Sequence, residues 1–461
     1  MIFAHDSFTG LVGVARIDIT PPAGIYRRCW GAALHDTARG VHRPLTLTSV
    51  AFRTPDDGPP LVLVDADLGW WISPALERTF RGQLLAALGL PAERLLFCLT
   101  HTHSAPPLTP PEPHWPGGDL LAAYLESLHP TALEAVRRAI DSLQPATIEW
   151  HHGRCGLATN RDLQDPTRPA APRIICGFNP EAPADDTLVV GRITAATGRP
   201  LATVVNYACH PTTLAWENDL VSPDYVGALR ETVEQGGGGM AVFLQGASGE
   251  LAPRYQYVGD PAIADAHGRQ VGHATLATLA GMEPPASALA FAGVVESGAP
   301  LAAWRRQSRQ PSAPARSLAA VRRTVELNLK AWPSTAELAA EFAACTDRPT
   351  AERLRRKLRI REALGDDAVF PLEIWGWRLG EAIVLGTMAE AYSSIQQEVR
   401  AALPNHTVVW LNLVNGSIGY LPPQPLYDFN IYQAWQTPFD RGSLERLAQA
   451  AITLGRDLMS A

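Results

Sequence analysis

A chain of 461 residues with 46% apolar and 18% charged side chains has material for a large buried core. Its formal charge of -7 and isoelectric point near 6.0 give no electrostatic footing for nucleic acid or an anionic membrane surface. No window approaches the ~20 apolar residues of a membrane span, and MIFAHDSFTG lacks a signal peptide's basic and apolar regions. The expectation is a cytoplasmic protein acting on a small-molecule substrate, with no nucleic acid and no membrane span, and compatible with a homo-oligomer.

In chain order, LVLVDADLGWW reads as a strand leading into a helix at PALERTFRGQLLAALG. RLLFCLTHTH then leads through a Pro-rich loop into a helix at LLAAYLESLHPTALEAVRRAIDSL. Strands follow at ATIEWHHG, TLVVGRITA, LATVVNYACH and MAVFLQGAS, with a helix at YVGALRETVEQ and a turn at Gly236 to Gly239 before the last strand. This alternation predicts an α/β fold, a mixed β-sheet core flanked by helices. From about residue 300 to 365 the character changes. WRRQSRQPSAPARS is basic, PSTAELAAEFAAC and RPTAERLRRKLRIREALG read as capped helices, and the stretch is expected to be a helical insertion whose arginines form a solvated face. PLEIWGWRLGEAIVLG reads as a hairpin, AEAYSSIQQEVRAAL as a helix, TVVWLNLVNG as a strand and DRGSLERLAQAAITLGRDLM as a closing amphipathic helix. The six cysteines are scattered without a CxxC pair, so reduced thiols are expected, with Cys98 and Cys209 as small core residues.

Metal-capable side chains follow directly on four strand-like runs: His101 and His103 after RLLFCLT, His210 after LATVVNYAC, Glu390 after EAIVLGTMA and Tyr420 after TVVWLNLVNGSIG. In α/β sheets the ligand crevice lies beyond the carboxyl ends of the strands, so residues distant in sequence can meet there. Neutral imidazoles with a carboxylate suit zinc, whose catalytic sites keep one position open. The prolines of HTHSAPP and CHP end their strands and hold the imidazoles at the mouth.

The motifs RIDITPPAG, GVHRPLTLTSVAF, LTHTHSAPP, TNRD, NYACHPTTL, FLQGASGELAP and GYLPPQPLYDFNIY stand in an order that resembles the catalytic domain of the neutral, non-lysosomal ceramidases, over about residues 11 to 435. The resemblance implies one Zn2+ per chain, held by His101, His210, Glu390 and Tyr420. It assigns His103 and Arg161 to the substrate carbonyl or its oxyanion. Tyr432 stands twelve residues after Tyr420, as the family's second functional tyrosine does. It also implies a single catalytic domain over 1–461, with the family's C-terminal β-sandwich domain absent.

One departure redirects the chemistry. The family places a nucleophilic serine where this chain reads Gly249-Glu250-Leu251-Ala252-Pro253-Arg254, and the serine position is Ala252. The expected function is therefore zinc-dependent hydrolysis of an amide C–N bond by metal-activated water, on a substrate smaller or more polar than ceramide. His103 would be general acid/base, Arg161 and Tyr432 would hold the oxyanion, and Glu250 would orient His103 or serve as base. Zinc-dependent ester hydrolysis and a lyase acting alpha to a metal-bound carbonyl are the nearest alternatives; a non-catalytic metal- or ligand-binding homologue is the alternative of another class. Trp30, Trp70, Trp71, Trp115 and Trp216 are expected to rim the crevice, with PEPHWPGG as a lid.

Overall fold

A computed structural model describes residues 1–56, 58–168, 173–365 and 367–460. Its frame is an eight-stranded sheet. The strands, in chain order, are β1 (Ser7–Asp18), β2 (Thr46–Arg53), β3 (Leu61–Ala66), β4 (Leu95–Leu99), β5 (Gln144–Arg154), β6 (Thr187–Ala195), β7 (Pro200–Tyr207) and β8 (Met240–Gln245). Their spatial order is β8-β7-β6-β5-β1-β2-β3-β4. The middle pairs are antiparallel, while β7/β8 and β3/β4 at the two edges are parallel. Parallel edges need crossovers, and these are helices α1 (Pro74–Leu88) between β3 and β4 and α3 (Tyr225–Gln235) between β7 and β8. The mixed sheet flanked by helices is the architecture that the alternating pattern predicts.

A second sheet of β9 (Leu318–Asn328), β10 (Val369–Leu379), β11 (Ala382–Thr387) and β12 (Val408–Leu411) runs in the order β9-β10-β11-β12. It too ends on a parallel pair, β11/β12. Period-two alternation shows how the two sheets stack. Val62 and Val64 of β3 face α1 and α2 (Gly118–Asp141), whereas Leu61 and Leu63 face a core that includes Trp375 and Trp377 of β10 and Val409 and Leu411 of β12. The far face of the second sheet packs on α7 (Ser394–Ala402) and α9 (Ser443–Ser460). The result is four layers: helix, sheet, sheet, helix. Around β6, β7 and β8 the outer layer is α3 and α4 (Pro261–Ala280), a helix rich in Ala and Gly where Gly268 and Gly272 lie against the α3 backbone.

The 300–365 stretch contains the two capped helices, α5 (Thr335–Ala344) and α6 (Arg348–Leu364), with the box of Ser334 and Glu337 capping α5. They are preceded by strands. Pro300–Ser308 pairs with Ser287–Glu296, and β9 joins the second sheet, so WRRQS ends a strand. The Gly tetrad forms the expected turn. Gly237 and Gly239 adopt φ of 84° and 70°, and a Cβ on Gly239 would meet the Leu201 backbone at 2.7 Å. All six cysteines are free thiols. Among the described residues no helix is long and apolar enough to cross a membrane.

Candidate metal centre and its cavity

Each edge pair of parallel strands delivers one part of the site. β4 ends at Leu99, and His101 turns out of it with φ of 70°, a left-handed conformation that costs a side-chain-bearing residue about 1 kcal/mol or more and persists where neighbours impose it. The His101 amide donates to Leu68 O at 3.0 Å, and its Nδ1 donates to Gly69 O at 3.2 Å. His210 follows β7; its Nδ1 donates to Ser248 O at 2.6 Å, with Leu251 O at 3.2 Å. A carbonyl only accepts, so in both rings the proton sits on Nδ1 and Nε2 carries a lone pair. Both lone pairs point at the same atom: Glu390 Oε2 lies 3.1 Å from His101 Nε2 and 3.2 Å from His210 Nε2. Three electron-rich atoms facing one another without a proton between them form a donor set for a cation, and backbone carbonyls on Nδ1 are the support that metal-ligating histidines use. Burial, and then the Arg161 guanidinium, push the His210 ring down to about 3, which keeps it neutral. His101, His210 and Glu390 are thus a buried group able to hold a metal ion.

Glu390 reaches this point from the second sheet. After β11 the chain makes a two-residue strand, Glu390–Ala391, parallel to Tyr420–Leu421, and Glu390 and Tyr420 are direct partners in that register. Asn415 sets the loop that delivers Tyr420. Its side chain accepts from the Phe97 amide and donates to Leu95 O, both at 2.9 Å, so the loop is sewn to the edge of β4 just before His101. Gly249 allows the remaining close approach, since a Cβ there would stand 2.6 Å from the Tyr392 ring and 3.1 Å from Glu390 O.

The Tyr420 hydroxyl lies 3.5 Å from His210 Nε2, and its ring stacks on His210 with centroids 6.3 Å apart. Arg161 is 4% exposed and donates through one terminal nitrogen, to Gly249 O at 2.8 Å and Tyr420 Oη at 3.2 Å, with His210 Nε2 at 3.3 Å. No carboxylate pairs with it among the described residues, and its Nε is buried without a partner. His103 packs between Trp30 and Trp70, with centroids 5.3 and 5.0 Å away, 4.7 Å from the His101 ring. Its Nδ1 donates to His101 O at 2.9 Å, leaving Nε2 as the acceptor. Burial, and then His101 and His210, hold it well below the usual histidine range. Tyr432 opens the short helix α8 (Tyr432–Gln436), and its hydroxyl accepts from Arg356 at 3.3 Å, so its own proton remains available.

Seven of the eight residues named from sequence therefore converge; Glu250 is turned away. Its carboxylate accepts the Ser393 amide at 2.9 and 3.0 Å and the Ser393 hydroxyl at 2.5 Å, and it does not line the cavity. The physical reason is tertiary: Glu250 satisfies the buried Ser393 amide where α7 begins, 143 positions on, a helix start that leaves backbone donors without partners in the helix. Burial pushes Glu250 up from 4.5 to about 7. A carboxyl that binds its proton more tightly when folded contributes stability that is full below about pH 4.5 and lost as pH rises through 7. Glu250→Gln is accordingly expected to flatten the melting temperature against pH, gaining on the wild type by several degrees between pH 4.5 and 8; parallel curves would contradict this. Ala252 is wholly buried in a short strand paired with Ala158–Asn160, and Ser248 is occupied by Gln245 at 2.6 Å, so this segment offers the site no free serine hydroxyl; Ser417 lines the cavity from another loop.

His101, His103, Arg161, Glu390, Tyr420 and Tyr432 line a cavity of about 470 Å3, within the usual ligand range, with His210 fully buried behind them. Four of the five expected tryptophans line it, Trp30, Trp70, Trp71 and Trp216. Trp115 does not. It stacks on Tyr26 at 4.1 Å under Arg355, so PEPHWPGG is packed onto the body there. Helix α6 also walls the cavity, and this corrects the expected solvated face: Glu352, Arg353, Arg356 and Arg359 line it, with Arg356 over the Trp70 ring. Arg356 donates to Cys29 O at 2.8 Å, and Arg359 donates to Thr109 at 2.5 Å. Residues more than 200 positions away give the helix an inner face. Tyr257 also lines the cavity, with φ of 64° and its ring on Trp216 and Trp30. No motif marks it in the sequence.

No protein-family profile and no curated relative matches the sequence. Solved structures do. A ceramidase complexed with C2 superposes with a TM-score of 0.69 at 17% identity, over 99% of this chain and 76% of its own. The neutral ceramidase from Pseudomonas aeruginosa gives 0.70 at 18%, over 99% and 75%. The chain has the fold of the neutral ceramidases. Within that fold, the imidazole pair and the carboxylate sit just beyond strands of the parallel pairs at the sheet edges, β3/β4, β7/β8 and β11/β12.

Proposed function

We propose that this chain is a zinc-dependent hydrolase that cleaves the amide C–N bond of N-acyl substrates smaller or more polar than ceramide. The carrying observation is the convergence of His101 Nε2, His210 Nε2 and Glu390 Oε2, two of the three residues lining an aromatic cavity, beside a buried guanidinium with no carboxylate partner among the described residues. Two imidazoles and a carboxylate fit one zinc ion, with the Tyr420 hydroxyl as fourth donor. When bound, zinc activates water for attack and polarises a carbonyl oxygen.

The chain's own groups supply the rest. Arg161 brings its guanidinium charge, and Tyr432 an unspent O–H, to the cavity where a carbonyl oxygen gains charge. His103, neutral and with its Nε2 lone pair free, takes the attacking water's proton and returns it to the leaving nitrogen. Trp30 and Trp70 fix its ring on both sides and exclude water from it. Ala252 provides no nucleophile, and Glu250 acts as a cap that positions the segment following Glu390.

The test is a screen of N-acyl amines of graded chain length with zinc-loaded protein, run in heavy-oxygen water. Hydrolysis places solvent oxygen in the carboxylic product. Products that carry none, or an unsaturated product, would instead indicate the lyase, and turnover of esters but not amides would indicate the esterase. Zinc binding without any turnover supports the non-catalytic homologue.

A further inference from the structure

The guanidinium groups in the cavity wall differ in one respect. Arg356 is ion-paired with Glu352 at 2.9 Å, and Arg359 holds Glu112 at 3.3 Å. Arg353, one turn before Arg356 on the same face of α6, makes no hydrogen bond and no ion pair among the described residues; its guanidinium lies over the Trp435 ring, 5.4 Å from the centroid. Of the neighbouring acids, Glu352 is committed to Arg355 and Arg356, and Asp347, which caps the α6 N-terminus through Thr350, is a nearby charge that forms no ion pair with Arg353. Arginines held at an aromatic face keep both edges of the guanidinium free for a planar anion.

Arg353 is tied to the metal centre by a row of rings. Trp435 stacks on Tyr432 at 6.4 Å, Tyr432 meets Tyr420 at 5.7 Å, and Tyr420 stacks on His210 at 6.3 Å. A body lying along that row, whose ring-to-ring steps are 5.7–6.4 Å, has one end at the imidazoles and the other at Arg353. A long apolar tail would leave the guanidinium unpaired.

We propose that Arg353 is the anchor of a carboxylate subsite, so that the preferred substrate is an N-acyl compound carrying a free carboxylate at the end remote from the scissile bond, as the half-amide of a dicarboxylic acid does. The guanidinium takes the carboxylate bidentately, and Trp435 supports the pair from below. The proposal takes the scissile end from the hydrolase reading, but the anion contact itself needs no turnover.

The test therefore reads binding. Tryptophan fluorescence is titrated with 3-phenylpropanoate and with its neutral isostere 3-phenylpropanamide, on zinc-loaded and on chelator-treated protein. The carboxylate is expected to bind about tenfold more tightly than the amide. That preference should survive chelation, collapse toward unity in Arg353→Gln and be partly restored in Arg353→Lys. Equal binding of the two ligands by the wild type overturns the subsite. So does a preference that disappears with the metal and persists in Arg353→Gln, because the carboxylate is then a ligand of the zinc. Failure of the hydrolase reading registers separately, as binding with this preference but no turnover of any N-acyl substrate.

Discussion

His210→Ala is expected to release the metal and to lower kcat/KM on any turned-over substrate by at least about a thousandfold. The ring sits at the junction of the site: its Nδ1 is fixed by Ser248 O, and its Nε2 faces Glu390, Tyr420 and Arg161. Without it the remaining imidazole and carboxylate cannot close a tetrahedral set, and Arg161 repels a dication that has one neutral donor fewer. Zinc per chain, measured by elemental analysis, should fall from near one to below about one tenth, with Glu390→Gln giving the same loss. Because the donor set is dispersed in the unfolded chain, chelating the wild type should also cost roughly 2.7 kcal/mol at a zinc concentration 100 times Kd, read as a lower melting temperature. A purified wild type with no stoichiometric metal after zinc loading, or a His210→Ala protein that keeps it, would falsify the site.

Arg161→Met separates catalysis from stability. A buried arginine without a carboxylate is costly to the fold, and its one engaged nitrogen already serves Gly249 O and Tyr420. Removing the charge should leave the melting temperature within a few degrees of the wild type, while kcat falls about 10²–10³-fold and zinc content stays near one per chain. The combination is diagnostic. A structural role would lower stability and metal content together, and a binding role shared by substrate and transition state would raise KM with kcat preserved. If kcat is unchanged, Arg161 does not hold the developing charge, and the oxyanion role rests with Tyr432 alone.

How much of this was legible in the sequence follows from what each residue's position depends on. His101 and His210 stand directly after apolar runs closed by proline, and a strand-end position depends only on local pattern, so both were readable before any comparison of folds. The helices and strands of the four layers follow from periodicity in the same way, and the Ala252 departure is a matter of residue identity. Glu390 and Tyr420 were readable through resemblance to the ceramidase motifs, but their pairing in one register is a product of the second sheet.

Only the tertiary structure decided the rest. Whether the α6 arginines face solvent or a cavity depends on Cys29 and Thr109 lying across from them, contacts 327 and 250 positions away in sequence that no helical period encodes. Glu250 reads as a site carboxylate because it lies in a site motif, yet its side chain turns to the amide of Ser393 at the start of α7, 143 positions on. Tyr257 and the packing of Trp115 on Tyr26 are likewise set by what a loop meets. The sequence by itself determined the elements, the two histidines and the loss of the serine, because those depend on local pattern and identity. The direction in which each loop and surface side chain points, and so the shape and charge of the cavity, came from long-range packing, which is decided by partners that the local pattern does not contain.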